Sequence, residues 1–208
     1  MKLYYCNITC SRAPHIVLEE LAIPFDLHHI DLRRGEGQSE DFLAINPIGA
    51  VPVLEIEPGR RLKEVQVILQ YLADLQPEKK LAPEWGTVER YELMQWLSFL
   101  STELHRNFYP VFFSSNMVSE QSAQQELSNY FRKRLELRWA TISDQLRDRD
   151  YLMGDYSIAD PYLYTIMIWA ELVKIDLSRW PNLLKFRERM ENRSAVQRVL
   201  EKETPVKA

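Results

Sequence analysis

The chain has 208 residues, a formal net charge of −4 and two cysteines. Its length allows one large domain or two small ones, and its acidic balance disfavours nucleic acid as a partner. Two cysteines are too few for a disulfide framework, no Cys/His cluster has zinc spacing and no apolar stretch is as long as a membrane span, so we expect a cytoplasmic protein without a metal or a membrane contact.

Strand and helix patterns alternate at the start of the chain. Residues 2–6 and 25–31 predict two strands, and the helix between them begins near Pro14, where a missing N–H costs little. A short helix is predicted at 40–45. With the strands and helix that follow, residues 1–75 are predicted to form an α/β domain in the order β-α-β-α-β-β-α.

The stretch that begins at Val51-Pro52 predicts the next strand. A proline at the head of a strand cannot donate to the ladder, and the bond before proline is the kind that tolerates the cis form. A cis bond here would leave the N–H and C=O of Val51 free for an extended ligand. Pro58-Gly59 is typical of a hairpin turn, and a helix is predicted after Glu64.

Cys10 lies at or just before the predicted start of the first helix, where the dipole and the free amides favour a thiolate. Taken alone, the local sequence favours the interpretation of Cys10 as a small residue in a loop. Ala13 stands where a C-x-x-C motif has its second cysteine, so a disulfide at Cys10 requires an external thiol. Cys6, at the end of the first strand, is predicted to be packed in the core.

Helical patterns occupy the second half of the chain. Residues 76–86 contain two prolines and a charge cluster, which predicts a linker, and residues 87–208 predict an all-helical domain. The first helix of this domain is predicted to run from Thr87 to about Phe108 and to break or kink at Pro110.

Ser157 and Asp160 have the spacing of a capping box before an almost wholly apolar helix. That helix is predicted to be the buried centre of its domain. A long helix at 123–147 precedes it, and two shorter helices follow. The residues after Glu203 are predicted to form a mobile tail.

This ordering resembles the glutathione transferases, and within them the bacterial beta class. The residues that carry the resemblance are Cys10-Ser11, Ala13-Pro14-His15-Ile16, Asn46-Pro47, Gly49, Val51-Pro52-Val53-Leu54, Glu64, Ile68, Gln70-Tyr71-Leu72-Ala73-Asp74, Ser101-Thr102-Glu103-Leu104-His105-Arg106 and Ser157 with Asp160. The resemblance implies a thioredoxin-like domain with a mixed four-stranded sheet, followed by a C-terminal helical bundle. It also implies a homodimer.

The resemblance further implies that glutathione is a co-substrate and that a small hydrophobic electrophile is the second substrate. Cys10 and His105 would be catalytic and close together. The implied glutathione-binding residues are Ser11, Val51, Pro52, Glu64, Val65, Glu103 and Arg106. The implied electrophile pocket, between the domains, is lined by Tyr5, Phe112, Phe113 and Trp169.

Three residues depart from the family pattern. Val65 stands where Ser or Gly is usual, Ile48 replaces a residue that is often lysine, and Ser98 replaces asparagine. A valine supplies neither a cap nor a hydroxyl, so we expect weakened glutathione binding.

Three functions remain open at this stage. The main hypothesis is a transferase that conjugates glutathione to an electrophile, reduces disulfides through Cys10, or both. The alternative is a non-catalytic binding or regulatory protein that keeps the fold with a degraded glutathione site. A lyase, isomerase or dehalogenase that uses glutathione as a cofactor is the third.

Overall fold

The computed structural model describes residues 1–203, which form two compact units. The first unit contains Met1–Ala82 and the chain from Glu191 onward, and the second contains Pro83–Met190. The predicted mobile tail, after Glu203, lies outside the described residues. Within residues 1–203, each helix is too short or too polar to span a membrane.

The first unit is built on a four-stranded mixed sheet. Its strands and helices are β1 (Lys2–Tyr5), α1 (Arg12–Leu21), β2 (Asp26–His29), α2 (Glu40–Ile45), β3 (Val53–Glu57), β4 (Arg60–Lys63) and α3 (Val65–Leu75). The strand order is β2-β1-β3-β4, with β1 parallel to β2 and antiparallel to β3. The predicted thioredoxin-like sheet is therefore confirmed. The hairpin between β3 and β4 turns at Gly59, whose φ is +78°.

Both faces of this sheet are covered. Tyr4 and Val53, which pair across β1 and β3, lie in one buried cluster with Phe42 of α2. Because side chains alternate along a strand, Leu3 and Leu54 project from the opposite face. Both are fully buried, and α1 and α3 pack against each other. This packing fixes the strand ends and helix starts that carry the predicted site residues.

The second unit is helical, as predicted. It contains α4 (Val88–Phe99), a π-helical segment (Leu100–His105), α5 (Arg106–Phe112), α6 (Gln121–Gln145), α7 (Ala159–Leu172) and α8 (Pro181–Glu191). Its core is formed by Leu93 and Leu97 of α4, Trp139 of α6 and nearly the whole of α7.

Of the predicted break or kink at Pro110, the break is wrong, because α5 continues through this residue to Phe112. Pro110 lies inside an uninterrupted helical run that begins at Val88, and its missing N–H removes a single backbone hydrogen bond from that run. The irregular turn lies earlier, in the π-helical segment Leu100–His105. Such segments are rare and often occur at functional sites.

The predicted capping box before α7 is confirmed. Oδ2 of Asp160 accepts hydrogen bonds from the N–H of Ser157 at 2.8 Å and from its hydroxyl at 3.1 Å. Oδ1 accepts from the N–H of Leu152 at 2.9 Å. Asp160 is fully buried, so these bonds fix both the start of α7 and the loop before it.

The last helix, α9 (Ser194–Lys202), differs from its predicted place in the helical domain. It packs against α1 and belongs to the first unit. Val196 and Val199 on its apolar face are fully buried. A sequence pattern predicts that such a segment is helical, but it does not say which of two apolar cores the helix will cover.

Candidate functional site

Ser11 closes the loop between β1 and α1. Its hydroxyl donates to the C=O of Cys6 at 3.0 Å and accepts from the N–H of the same residue at 3.1 Å. The N–H of Thr9 reaches that C=O at 3.3 Å. The side chain of Ser11 is fully buried. Its hydroxyl therefore shapes the turn that holds Cys10.

The thiol of Cys10 contacts the main chain just before β3, where glutathione is predicted to bind. Its Sγ donates to the C=O of Val51 at 3.4 Å, and the Val51-Pro52 peptide bond is cis. Only 9% of Cys10 is exposed, and burial raises the pKa of its thiol to about 12. The expectation of a favoured thiolate is thus not met, because α1 begins two residues later, at Arg12, and burial dominates the pKa of the thiol.

The start of α3 lies beside this loop in the same unit. Glu64 precedes the helix with φ +66° and ψ 119°, a backbone conformation that costs a non-glycine residue about 1–3 kcal/mol. Within the described residues, no side chain caps this helix start. Val65 is buried and Glu64 is exposed, so the first turn of α3 has a free carboxylate at its edge and no hydroxyl.

The other two departures from the family pattern lie on the surface. The side chain of Ile48 is 71% exposed. Ser98 is exposed on α4, in the second unit, and its C=O accepts from the hydroxyl of Thr102 at 3.0 Å. Both side chains are exposed, so neither residue belongs to the core of its unit.

Glu103, in the π-helical segment, is held by two arginines of α6. Its Oε2 accepts from Arg134 at 3.1 Å and from Nε of Arg138 at 3.0 Å. The hydrogen bond from Arg138, with the charges of both arginines, holds the pKa of Glu103 below its ordinary value. The carboxylate is therefore ionised and fixed in direction near neutral pH.

His105 ends the π-helical segment and touches two aromatic residues of α7. Its Nδ1 lies 2.8 Å from the hydroxyl of Tyr162, and its ring meets the edge of Trp169 with the centroids 4.7 Å apart. Burial lowers the pKa of His105 to about 4, and the neighbouring charge of Arg106 acts in the same direction. The imidazole is therefore neutral near pH 7, with one nitrogen engaged by Tyr162.

The structure brings three of the predicted electrophile-pocket residues together. The ring centroid of Phe112 lies 5.9 Å from that of Phe113 and 6.4 Å from that of Trp169. Phe112 and Phe113 are 37% and 47% exposed, which is unusual for such large apolar side chains. These rings and His105 form one aromatic surface in the second unit.

The remaining predicted site residues have other neighbours. The ring of Tyr5, in the first unit, packs against His15 and His29 at centroid distances of 5.9 and 5.3 Å. The guanidinium of Arg106 lies 5.2 Å from the ring centre of Tyr109. The roles of Tyr5 and Arg106 in binding stay predictions, as does the proximity of His105 to Cys10.

The partly buried imidazole of His105 should make the stability of the protein depend on pH. The unfolded chain takes up a proton at this residue near pH 6.5, whereas the folded ring does so only near pH 4. Acidification between these values therefore favours unfolding, by about 3 kcal/mol once pH 4 is reached. We expect an NMR titration of the His105 ring, assigned with His105→Gln, to have its midpoint near pH 4. A midpoint at or above 6.5 would contradict this.

Sequence reasoning missed the partners that orient these groups. Arg134 and Arg138 lie 31 and 35 residues from Glu103 along the chain, and Tyr162 lies 57 residues from His105. No local spacing links residues so far apart. Two arginines four apart on a predicted helix were the only available signal, and this pattern is typical of a solvated helix face.

Comparisons with known proteins agree with this geometry. The family described as "Glutathione S-transferase, N-terminal domain" matches residues 9–75. The family described as "Glutathione S-transferase, C-terminal domain" matches residues 101–194. The chain therefore belongs to the glutathione S-transferase family of enzymes.

Individual relatives are similar over nearly their whole length. Glutathione S-transferase GstA of Escherichia coli O157:H7 is 35% identical over 205 residues, 98% of each chain. A sphingomonad glutathione S-transferase complexed with glutathione is 35% identical, with a TM-score of 0.88 over 99% of this chain and 100% of that one. The beta-class glutathione S-transferase of Sphingomonas chungbukensis is 36% identical, with the same TM-score and coverage.

Proposed function

We propose that this enzyme binds glutathione along Val51 and transfers it to a small hydrophobic electrophile. The observation that carries the proposal is the contact of 3.4 Å between Sγ of Cys10 and the C=O of Val51. The protein thiol thereby lies at the main chain that is expected to receive the cysteinyl part of glutathione. A group placed there is within reach of the sulfur of the bound co-substrate.

The start of α3 is the proposed binding point for the γ-glutamyl end of glutathione. Free N–H groups at a helix start bind carboxylates, and we propose that those of α3 bind the γ-glutamyl carboxylate. Glu64, exposed at the same point, would accept from the γ-glutamyl amino group. Glu103, ionised and held by its two arginines, would serve the same amino group across a dimer interface.

The buried thiol favours one of two mechanisms. With a pKa of about 12, Cys10 is protonated near neutral pH and can donate a hydrogen bond to the thiolate of glutathione, which then attacks the electrophile. In the second mechanism, a Cys10 thiolate attacks the glutathione sulfur of a mixed disulfide between glutathione and a substrate thiol, forms a disulfide with glutathione and releases the substrate thiolate. A second glutathione then frees Cys10 and forms oxidised glutathione, since Ala13 provides no resolving thiol.

The aromatic surface formed by Phe112, Phe113, Trp169 and His105 supports an apolar second substrate. Its exposed rings offer apolar area that the fold does not bury, and such area commonly marks a ligand site. We propose that it contributes to the electrophile site. A cytoplasmic homodimer is proposed on the family resemblance.

A non-catalytic binding protein is the second candidate, and Val65 is the observation that favours it. The buried valine leaves the start of α3 without the hydroxyl that is usual in the family. The same helix start keeps its backbone amides and Glu64, so we expect glutathione binding to be weakened and not abolished.

Isothermal titration of reduced glutathione into the protein tests the proposed function. We expect a Kd of about 1 mM or below, corresponding to at least 4 kcal/mol of binding free energy. Glu64→Gln should weaken binding about tenfold by removing a charged acceptor, whereas Glu57→Gln, an exposed change at the end of β3, should leave it unchanged. Absence of heat at 10 mM glutathione would exclude the proposal and favour the binding protein.

Val65→Ser should strengthen glutathione binding about tenfold, because a charge-assisted hydrogen bond contributes roughly 1.5–3 kcal/mol. Val67→Ser is the control, since Val67 lies on the same helix and is 43% exposed. An unchanged Kd in Val65→Ser would mean that the ligand carboxylate does not lie at the start of α3.

A further inference from the structure

The helix α9 is tied to α1 by a row of ion pairs. Glu19, near the end of α1, is paired with Arg198 at 2.7 Å and with Lys202 of α9. The adjacent Glu20 is paired with Arg193 at 2.7 Å. These pairs are partly exposed and individually weak, but they fix the direction in which α9 crosses α1.

Beyond the end of α9, a carboxylate is buried against the start of α1. Oε2 of Glu203 lies 2.8 Å from Nε of Arg12, and Oε1 lies 2.9 Å from Nδ1 of His15. The side chains of Glu203 and His15 are fully buried, and that of Arg12 is 6% exposed. Burial of a charged side chain is costly unless close, hydrogen-bonded partners of opposite charge compensate for the lost water.

Both partners of this carboxylate belong to the turn that follows Cys10. The N–H of Arg12 bonds to the C=O of Thr9, the N–H of Ala13 to the C=O of Cys10, and the N–H of His15 to the C=O of Ser11. The loop and the first turn of α1 are therefore one hydrogen-bonded segment. Glu203 is bound to this segment through the side chains of Arg12 and His15.

The orientation of the His15 ring depends on its contact with Glu203. Its ring packs between Tyr5 and Phe25, at centroid distances of 5.9 and 5.8 Å. Within the described residues its Nε2 has no hydrogen-bond partner, so Glu203 provides the hydrogen bond of the ring. A ring fixed in this way holds the first turn of α1 in one position.

We propose that Glu203 is a positioning residue for Cys10, acting through Arg12 and His15. The carboxylate fixes the first turn of α1 and thereby keeps the thiol buried and aimed at the C=O of Val51. This inference rests on the proposed role of Cys10 in the thiol chemistry. Among the described residues, the other titratable groups near the Cys10 thiol are Glu64 and Cys6. Tyr5 lies near the carboxylate of Glu203.

The test measures alkylation of Cys10 by iodoacetamide as a function of pH, with peptide mass spectrometry to separate Cys10 from Cys6. Glu203→Gln should raise the rate at pH 8 at least tenfold and move the profile to lower pH, because the loosened thiol becomes exposed. Glu191→Gln is the control: it is an exposed change in the same unit, whose side chain contacts neither Arg12 nor His15.

A second variant separates positioning from loss of a buried charge partner. Arg12→Met/Glu203→Gln removes the link together with the charge that would be left unpaired, so thermal stability should recover towards that of the wild type. If Glu203 positions Cys10, the alkylation profile of this double variant stays shifted. If the profile returns to within twofold of the wild type, or if Glu203→Gln folds with an unchanged profile, the proposal is wrong. Should Glu203→Gln fail to fold, the double variant decides.

This readout is independent of glutathione. If the wild-type protein binds no glutathione, the proposed function is wrong. The alkylation profiles would still show whether Glu203 determines the exposure of the Cys10 thiol. Conversely, normal glutathione binding with unchanged alkylation in both variants would overturn the role of Glu203 alone.

Discussion

Replacing Asp160 with asparagine is expected to lower the free energy of unfolding by about 3 kcal/mol. Both oxygens of this buried carboxylate accept N–H groups, from Leu152 and from Ser157. An amide has one accepting oxygen, so one buried N–H loses its acceptor and faces an NH₂ group. Hydrogen bonds to a charged group contribute about 1.5–3 kcal/mol each, and an unsatisfied buried donor costs about 1–3 kcal/mol.

Urea unfolding followed by circular dichroism measures this loss. Asp155→Asn is the matched control, since Asp155 precedes the same helix and is exposed; we expect a change within about 0.5 kcal/mol. A loss below about 1 kcal/mol in Asp160→Asn would mean that the capping box contributes little to the stability of the second unit.

Cys10→Ala should separate the two proposed reactions. Disulfide exchange with a glutathione mixed disulfide should fall by roughly 1,000-fold or more, because the chemistry needs a thiolate at this position. Conjugation should fall by only about tenfold, since the variant removes one hydrogen bond to the glutathione sulfur and leaves the sulfur itself.

The assays are thiol release from a glutathione mixed disulfide and conjugation to an aromatic chloride, each at saturating glutathione. Cys6→Ala is the control; Cys6 is buried in the core behind the sheet, so its loss should reduce stability and spare disulfide exchange. Equal losses of both activities in Cys10→Ala would show that the thiol serves one common step.

Features that depend on neighbours in sequence could be predicted. The spacing of Ser157 and Asp160 predicts a capping box because the two groups meet within one helical turn. The hairpin at Gly59 and the alternation of strand and helix in the first unit have the same local origin. Val51 and Cys10 could be placed together only through the family resemblance, because 41 residues separate them.

Features that depend on packing could not be predicted. The helix dipole argues for a thiolate at Cys10, but the pKa of this thiol is set by burial, which the sequence does not reveal. Likewise, nothing in the sequence near His15 indicates that its partner is a carboxylate 188 residues away.

That distant carboxylate has a consequence for synthesis on the ribosome. Arg12 and Glu203 are 191 residues apart, so α1 gains this buried partner only after the chain through Glu203 has been synthesised. Until then Arg12 and His15 lack the anion that allows them to be buried, and the second unit, whose residues are all synthesised earlier, is free to fold first. The usual order, in which the N-terminal domain folds ahead of the next, should therefore be reversed for the final step of this protein.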